Sequence, residues 1–156
     1  GCYRTLKLDY TDLLQELGIE VLHSIEFVEK YIDEKNIALK NIGLNVTYHD
    51  PCHLGRHANL YEPQRKILRK IANLTEMKAT KEHAKCCGAG GGVKKAFPDL
   101  ALNIAKSRIE EAVETGADYL VSSCPFCYRN LSDAIKTLDS KIIMKDLTQL
   151  IDEALE

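Results

Sequence analysis

Most of the cysteines in this chain fall into three short groups, and these groups limit the folds that the sequence can adopt. The groups are Cys52, the adjacent pair Cys86 and Cys87, and Cys124 with Cys127. The first and last groups follow predicted strands closely, and the middle pair follows a weaker strand at some distance. Because sites in parallel sheets gather at the carboxyl ends of the strands, we expect the three groups to meet along one edge.

The order of predicted elements indicates an α/β fold. Stretches rich in β-branched and aromatic residues predict strands at 19–23, 45–50, 74–79, 118–122 and 141–145. Helical periodicity predicts helices over 8–17, from an N-cap at Ser24, over 62–73, over 98–115, from about Pro125, and over 147–155. Strands that alternate with helices of this length favour a mainly parallel sheet flanked by helices, with the cysteine loops at the C-terminal edge of the strands.

The bulk composition excludes several functional classes. The formal net charge is −2 and no basic stripe is present, which argues against nucleic-acid binding. No apolar run approaches the ~20 residues of a membrane-spanning helix, so any membrane association would come through a partner. The six cysteines occur without a signal-peptide pattern, which indicates a reducing compartment, and the expected location is the cytoplasm.

The two ends of the chain share a sequence repeat. Residues 2–6 read Cys-Tyr-Arg-Thr-Leu, and residues 127–131 read Cys-Tyr-Arg-Asn-Leu. A similar order of predicted elements follows each copy, which supports a common repeat unit. We therefore expect residues 1–42 to be the tail of a preceding unit and residues 43–156 to be a complete cysteine-rich domain. In this interpretation Cys2 is the last cysteine of the preceding unit's site.

The five grouped cysteines, Cys52, Cys86, Cys87, Cys124 and Cys127, predict a metal-binding site. Iron–sulfur clusters are held by cysteine thiolates, and five sulfurs suit a cluster better than a single ion. The glycines that follow the cysteine pair lack a Cβ and allow the backbone to approach a bulky anion. A zinc site is the alternative, since it needs four ligands and His49, His53, His57 or His83 can replace a cysteine. A glutaredoxin-like dithiol at 124–127 leaves the other three cysteines unexplained.

The roles of the polar residues around these cysteines stay open. His49, His53, Arg56 and His57 surround Cys52, and His83 precedes the cysteine pair. Such residues commonly cap or hydrogen-bond a loop. The functional alternative is that they donate hydrogen bonds to a cluster or protonate a thiolate that leaves it.

The sequence resembles the cysteine-rich CCG domain. The resemblance rests on Tyr-His-Asp-Pro-Cys-His-Leu-Gly-Arg at 48–56, Cys-Cys-Gly-Ala-Gly-Gly-Gly at 86–92 and Cys-Pro-Phe-Cys at 124–127, and it covers essentially the whole chain. This domain occurs in heterodisulfide reductase catalytic subunits and related iron–sulfur oxidoreductase subunits, commonly in tandem. In the reductases, five such cysteines resemble a ligand set for a non-cubane [4Fe–4S] cluster that reduces a disulfide.

The resemblance implies a role for the chain as well as a cofactor. It implies that all five grouped cysteines are ligands in an oxidoreductase subunit that passes electrons to a disulfide or another substrate. An electron-transfer role in a quinone-linked lactate, glycolate, glycerol 3-phosphate or fumarate-type enzyme is the alternative. Ferredoxin motifs are absent from the sequence, so electrons are expected from a partner with a ferredoxin-type cluster or from a flavoprotein. The isolated chain is then expected to hold a cluster without turnover.

Overall fold

The fold is built on one sheet of four parallel strands in the order β2-β1-β3-β4. A computed structural model describes residues 2–11 and 18–155. The strands are β1 (Asn45–Tyr48), β2 (Asn73–Leu74), β3 (Tyr119–Ser122) and β4 (Ile143–Asp146). Val46 of the central strand β1 lies opposite Leu74 on one side and Tyr119 on the other. The prediction of an α/β fold with a parallel sheet is confirmed.

Helices connect the strands and cover both faces of the sheet. In chain order, the α-helices are α1 (Cys2–Arg4), α2 (Ser24–Lys35), α3 (Gly55–Ala58), α4 (Glu62–Ile71), α5 (Val93–Ala96), α6 (Pro98–Val113), α7 (Pro125–Thr137) and α8 (Leu147–Leu155). A π-helical turn follows α1 at Thr5–Asp9, and a 3₁₀ turn lies at Lys81–His83. Proline occupies the first turn of α4, α6 and α7, where its missing N–H leaves no helix bond unmade.

One face of the sheet is packed with large aliphatic side chains from α2, α4 and α8. This aliphatic cluster consists of Ile25, Val46, Tyr48, Ile67, Leu68, Ile71, Ala72, Val121, Leu147, Leu150, Ile151 and Ala154. Val46 and Tyr48 alternate with Thr47 along β1, so both side chains point to the same face. Burial of this cluster is the main hydrophobic contribution to the stability of this layer.

The opposite face carries smaller side chains, mainly from α6 and α7. This cysteine-side cluster consists of Met77, Cys87, Ala89, Ala105, Ile109, Ala112, Leu120, Cys127, Leu131, Ala134, Ile142 and Met144. Leu120 of β3 points to this face, between Tyr119 and Val121 of the aliphatic side. Two of the grouped cysteines are therefore part of the packed core.

The region before β1 departs from the sequence prediction. The strand predicted at 19–23 is wrong, since residues 20–23 pair with no strand of the sheet. His23, and not Ser24, is the N-cap of α2: its Nδ1 accepts from the Ile25 N–H at 3.2 Å, and its own N–H donates to Glu26 Oε2 at 2.8 Å. The helix predicted over 8–17 falls partly on residues 12–17, which lie outside the described residues.

The other predicted elements are found within a few residues of their expected bounds. The largest difference is β2, which ends at Leu74, so the strand predicted at 74–79 is too long. The N–H of Ala79 donates to Glu111 Oε1 at 2.6 Å on the cysteine side and is not part of a strand ladder. Over residues 2–11 and 18–155, we find no helix with the length and apolar character that crossing a membrane requires.

Candidate metal centre

The three cysteine groups meet at the C-terminal edge of the sheet. Cys52 lies on the turn after β1, and Cys124 is the residue from which α7 begins. Each thiol interacts electrostatically with the next, so the five form a continuous row that runs from Cys52 through Cys86, Cys87 and Cys127 to Cys124. All five are free thiols, and Cys2 is exposed and outside this row. The sulfur row, as we call these five side chains, brings together all the cysteines of the three groups.

A glycine shapes the turn at the adjacent cysteines. Gly88 has φ of +84°, and a Cβ at this position would lie 2.5 Å from the carbonyl oxygen of Ala101 in α6. Only glycine combines this conformation with such a close approach to a helix. The turn also directs the Gly88 N–H at the sulfur of Cys86, at 3.3 Å, while Cys86 is exposed and Cys87 is buried. The two neighbours therefore present sulfur on two sides of one site.

Backbone N–H groups favour negative charge at the start of α7 and at the glycine turn. The Cys127 thiol and the backbone N–H groups of Cys127 and Phe126 face the Cys124 sulfur. Together they outweigh burial and lower the pKa of Cys124 to about 6. At Cys86, the contacts with Cys52 and Cys87 and the Gly88 N–H hold the pKa well below its usual range. These two cysteines are the favoured thiolates.

The other three thiols hold their protons more firmly, because each has a neighbouring sulfur that carries the charge. Contact with Cys86, together with burial, raises the pKa of Cys52. At Cys87, the Cys127 thiol lowers the pKa, but the opposing effect of Cys86 and burial is larger. The net pKa is therefore raised to about 11. Contacts with Cys124 and Cys87, with burial, raise the pKa of Cys127 well above its ordinary value. A bound cation would be needed to deprotonate the whole row.

A cleft of about 790 Å³ opens over the sulfur row. Four of the row's cysteines line the cleft, together with Pro51, His53, Ala89, residues 90–92, Lys94, Lys95, Pro125, Phe126 and Arg129. The glycines leave the backbone of one wall without side chains. The cleft therefore has room for a bulky inorganic group next to the sulfurs and access from outside.

The two strand ends that carry the site are tied to each other. The Tyr48 hydroxyl donates to Ser123 Oγ at 3.2 Å, and Ser122 Oγ donates to the carbonyl oxygen of His49 at 3.2 Å. The His49 N–H continues the ladder to the Val121 carbonyl at 2.8 Å. Cys52 and Cys124 thus extend from neighbouring strands whose relative position is fixed.

His49 lies against the buried part of the sulfur row. Its side chain is buried, and a ring nitrogen lies within 4.8 Å of the sulfurs of Cys87 and Cys127, which also lie within that distance of each other. Arg108 Nε donates to His49 Nδ1 at 3.1 Å. Burial and the Arg108 charge lower the pKa of His49 to about 3, so the imidazole is neutral.

The remaining candidates surround this centre at different depths. The His53 and His57 rings lie 4.9 Å apart, and His53 lines the cleft whereas His57 is exposed. Arg56 donates through Nη2 to the Ala84 carbonyl, which holds the Cys52 turn against the segment before Cys86. The side chain of His83 is 83% exposed and lies 3.7 Å from Glu82. Of the flanking residues, Arg56 therefore has a structural role in the described chain.

Three buried polar groups beneath the site were not identified from the sequence. Arg108 contacts His49, and Asn130 donates to the carbonyls of Cys87 and Ala101 at 2.6 and 3.0 Å. Arg65 binds Asp50 through two nitrogens at 2.7 and 2.8 Å, two residues before Cys52. A signal was available for Asn130, since it follows Cys127 by three positions and so lies on the same face of the helix.

Comparison with known families agrees with this geometry. The profile of the CCG family, described as a cysteine-rich domain, matches residues 46–132, from β1 into α7. This chain belongs to the CCG family. The match includes the whole sulfur row and the glycine turn, so the resemblance noted in the sequence is confirmed.

Curated relatives of this CCG chain are components of reductases and an iron–sulfur protein. One component of a dihydromethanophenazine:CoB–CoM heterodisulfide reductase from Methanosarcina acetivorans is 48% identical over 99% of this chain and 39% of the relative. One component of a fumarate reductase (CoM/CoB) from Methanothermobacter marburgensis is 38% identical over 87% of the chain and 27% of the relative. An uncharacterized iron–sulfur protein from Methanocaldococcus jannaschii is 35% identical over 97% of the chain and 30% of the relative. The chain thus spans two fifths or less of these relatives.

Proposed function

We propose that the chain is an iron–sulfur-binding redox module of a heterodisulfide-reductase-like oxidoreductase. The observation that carries this proposal is the sulfur row, in which five free thiols from three distant parts of the sequence contact one another at one edge of the sheet. In the proposal, the ligands are Cys52, Cys86, Cys87, Cys124 and Cys127.

The donor set fits a cluster of several metal ions. Five thiols in a row exceed the four ligands of a tetrahedral zinc site. Backbone N–H groups at Cys86 and Cys124, with the glycine wall of the cleft, suit the negative charge of thiolates and sulfide. When bound, such a cluster supplies one-electron transfer at a potential set by its surroundings. We propose a [4Fe–4S] cluster, with a non-cubane form favoured by five ligands.

The protein residues in this proposal hold the sulfurs and control their protonation. Cys86 and Cys124, whose pKa values are lowered, would engage iron first, and the more basic thiols would lose their protons as metal binds. Arg56 and Asn130 fix the backbone on either side of the Cys86 turn. The open cleft leaves one side of the row accessible to a substrate or to an electron-transfer partner.

The wider assembly is also part of the proposal. Relatives that are named as parts of reductases support a redox complex. We propose that its electrons arrive from a ferredoxin-type cluster or a flavoprotein. We propose residues 1–42 as the tail of a preceding CCG unit and residues 43–156 as a complete one, in the cytoplasm. The isolated chain would then hold its cluster without catalysing turnover, and any membrane attachment would come through a partner.

Metal and acid-labile sulfide analysis of protein purified without oxygen tests the cofactor. The proposal predicts iron and sulfide in about equal amounts after anaerobic reconstitution, with an absorption and EPR signal typical of a cluster. Zinc without sulfide, retained after reconstitution, would contradict it.

Serine substitutions test the ligand set within this proposal. Cys86→Ser and Cys87→Ser are each expected to change the EPR spectrum, because both sulfurs belong to the row. Cys2→Ser is the matched control, since Cys2 is exposed and lies outside the row, and its spectrum should equal that of the unmodified protein. If the EPR spectrum of Cys86→Ser or Cys87→Ser equals that of the unmodified protein, the proposal of five ligands loses its support.

A structural zinc site is the second candidate, and one observation favours it. The ligand atoms of His49, Cys87 and Cys127 lie within 4.8 Å of one another, which is close enough for a single ion. This set leaves Cys52 and Cys86 unused. Cys52→Ser therefore separates the two candidates: it should disturb a cluster and leave a zinc site on His49 intact.

A further inference from the structure

Arg108 is one of two arginines with fully buried side chains in the described part of the chain, and it contacts His49. Its Nη1 donates to the Ala79 carbonyl at 3.0 Å and pairs with Glu111 at 2.9 Å. These contacts fix the guanidinium in the cysteine-side layer. Its Nε then donates to His49 Nδ1 at 3.1 Å, in the buried layer beneath the site.

This hydrogen bond determines the tautomer of His49. A guanidinium has donors only, so the His49 Nδ1 that it contacts must be the acceptor. A neutral imidazole carries one proton, and with Nδ1 as acceptor that proton is on Nε2. His49 therefore presents an N–H donor on the edge of its ring that Arg108 does not occupy.

The sulfurs of Cys87 and Cys127 are candidate acceptors close to this ring. They lie within 4.8 Å of a His49 ring nitrogen, and all three side chains are buried. The Cys127 sulfur is buried between two other sulfurs of the row, those of Cys87 and Cys124. A thiolate at this depth gains from a neutral N–H donor, because Cys127 is only 3% exposed and solvent supplies few donors to it.

We propose that Arg108 locks His49 as the Nε2–H tautomer and that this N–H donates to the Cys87–Cys127 sulfur pair. His49 is then a positioning residue and not a metal ligand. This inference rests on the proposed iron–sulfur function for its consequence: hydrogen bonds to cluster sulfurs stabilise the more negative, reduced state and so raise the reduction potential. The part of the inference that concerns the His49 tautomer depends only on the residues of this chain.

The tautomer is tested in the cluster-free, reduced protein with ¹⁵N-labelled histidine. Long-range ¹⁵N–¹H NMR should show a non-protonated Nδ1 and a protonated Nε2 for His49 at neutral pH. His57, exposed on the same segment, provides the comparison for a solvent-accessible ring. A protonated Nδ1 at His49 would overturn the proposal directly, without any variant.

A double variant tests the role of Arg108. Arg108→Met removes the donor, and Glu111→Gln in the same chain removes the carboxylate that pairs with Arg108, which would otherwise keep only the exposed Lys85. The Nδ1–H tautomer should then appear at His49, whereas Glu111→Gln alone should leave the Nε2–H form unchanged. An unchanged tautomer in a folded double variant would overturn the lock.

The reduction potential of reconstituted protein tests the bond to sulfur. His49→Phe keeps a ring and removes both nitrogens, and the potential should shift to lower values. His49→Gln keeps an N–H donor at a similar reach and should recover most of that shift, whereas His57→Phe should leave the potential unchanged. Equal reduction potentials in His49→Phe and the unmodified protein would overturn the proposed hydrogen bond from His49 to sulfur.

The two proposals fail in different ways. If the unmodified chain takes up no iron and sulfide, the proposed function fails, and the bond to a cluster sulfur fails with it. The NMR result in cluster-free protein would still decide the Arg108–His49 lock. If a cluster forms but His49→Phe and His49→Gln behave alike, the inference fails and the proposed function stands.

Discussion

The two faces of the sheet are packed by different rules. The aliphatic cluster contains two alanines among its twelve buried residues, and branched aliphatic side chains fill most of the rest. The cysteine-side cluster contains four alanines and two cysteines among its twelve. Small side chains let α6 and α7 lie close to the cysteine loops, so the second layer positions the site while the first layer supplies hydrophobic burial.

This difference predicts opposite sensitivities to side-chain volume. The aliphatic face should suffer most when a side chain is shortened, because a cavity forms in a layer of large residues. The cysteine face should suffer most when a side chain is enlarged, because its alanines are buried and Gly88 leaves no room for a Cβ. We expect substitutions on the two faces to reveal this contrast, from large losses of stability to small ones.

Shortening the aliphatic face should give the largest loss of stability. Ile71→Ala removes a fully buried side chain and should lower the free energy of unfolding by about 2–5 kcal/mol. Chemical denaturation measures this loss. Iron and sulfide per folded chain should be unchanged, since Ile71 lies on the other face. Ile143→Ala, at a position that is 51% exposed, is the control and should cost far less.

Adding one methyl group at the glycine turn should affect the site as well as stability. Gly88→Ala forces a left-handed conformation on alanine and a contact of 2.5 Å with the Ala101 carbonyl. We expect a loss of about 3 kcal/mol, at the upper end of the range for backbone strain. Cluster content measured by sulfide analysis should fall in the protein that remains folded. Full cluster content would show that the turn does not position the cysteine pair.

Enlarging the cysteine face should have a smaller effect that is still measurable. Ala105→Val adds volume at a fully buried position between α6 and its neighbours, and we expect a loss of about 1–2 kcal/mol. Ser107→Val, at an exposed position of the same helix, controls for the lower helix propensity of valine. If the two variants unfold at the same denaturant concentration, the layer has spare room and the contrast between faces is wrong.

The smallest effect should come from Glu111→Gln, and it should appear in the stability of the protein at acid pH. Burial raises the pKa of Glu111, but the Ala79 N–H and the Arg108 charge outweigh it, and the net pKa is lowered. A lowered folded-state pKa stabilises the protein above the ordinary glutamate value of 4.5, and this contribution is lost as the pH falls through the folded value. Unfolding midpoints across pH should therefore vary less below 4.5 in Glu111→Gln than in Glu110→Gln, its exposed neighbour.

Much of the fold could be predicted because local pattern and tertiary environment agree. The apolar run at 118–122 becomes β3, which is buried on both faces between β1 and β4. The similar run at 19–23 does not become a strand, because a strand needs a hydrogen-bonding partner and these residues pair with none in the sheet. Sequence pattern alone cannot supply that information.

The cysteines could be predicted from the sequence, but the polar groups behind them could not. Cys52 and Cys124 each follow a strand of a parallel sheet, so the topology alone places both at the C-terminal edge of that sheet. Arginine is rarely buried, so Arg65 and Arg108 are expected on the surface. Their partners are distant in sequence: Asp50 for one and His49 for the other. The position of Arg108 on the helical stripe of Ala105 and Ala112 was the available signal.

The pairing of β1 with β3 has a consequence for the newly made polypeptide. Strands β1 and β3 can pair only after Tyr119, the partner of Val46, has left the ribosome, and Cys127 emerges later still. Because domains fold as units during synthesis and non-local parallel pairing is slow, the five sulfurs come together only near the end of the domain's folding. Until then Cys52 and the adjacent pair are separate, accessible thiols, so the cell must keep them reduced while translation continues.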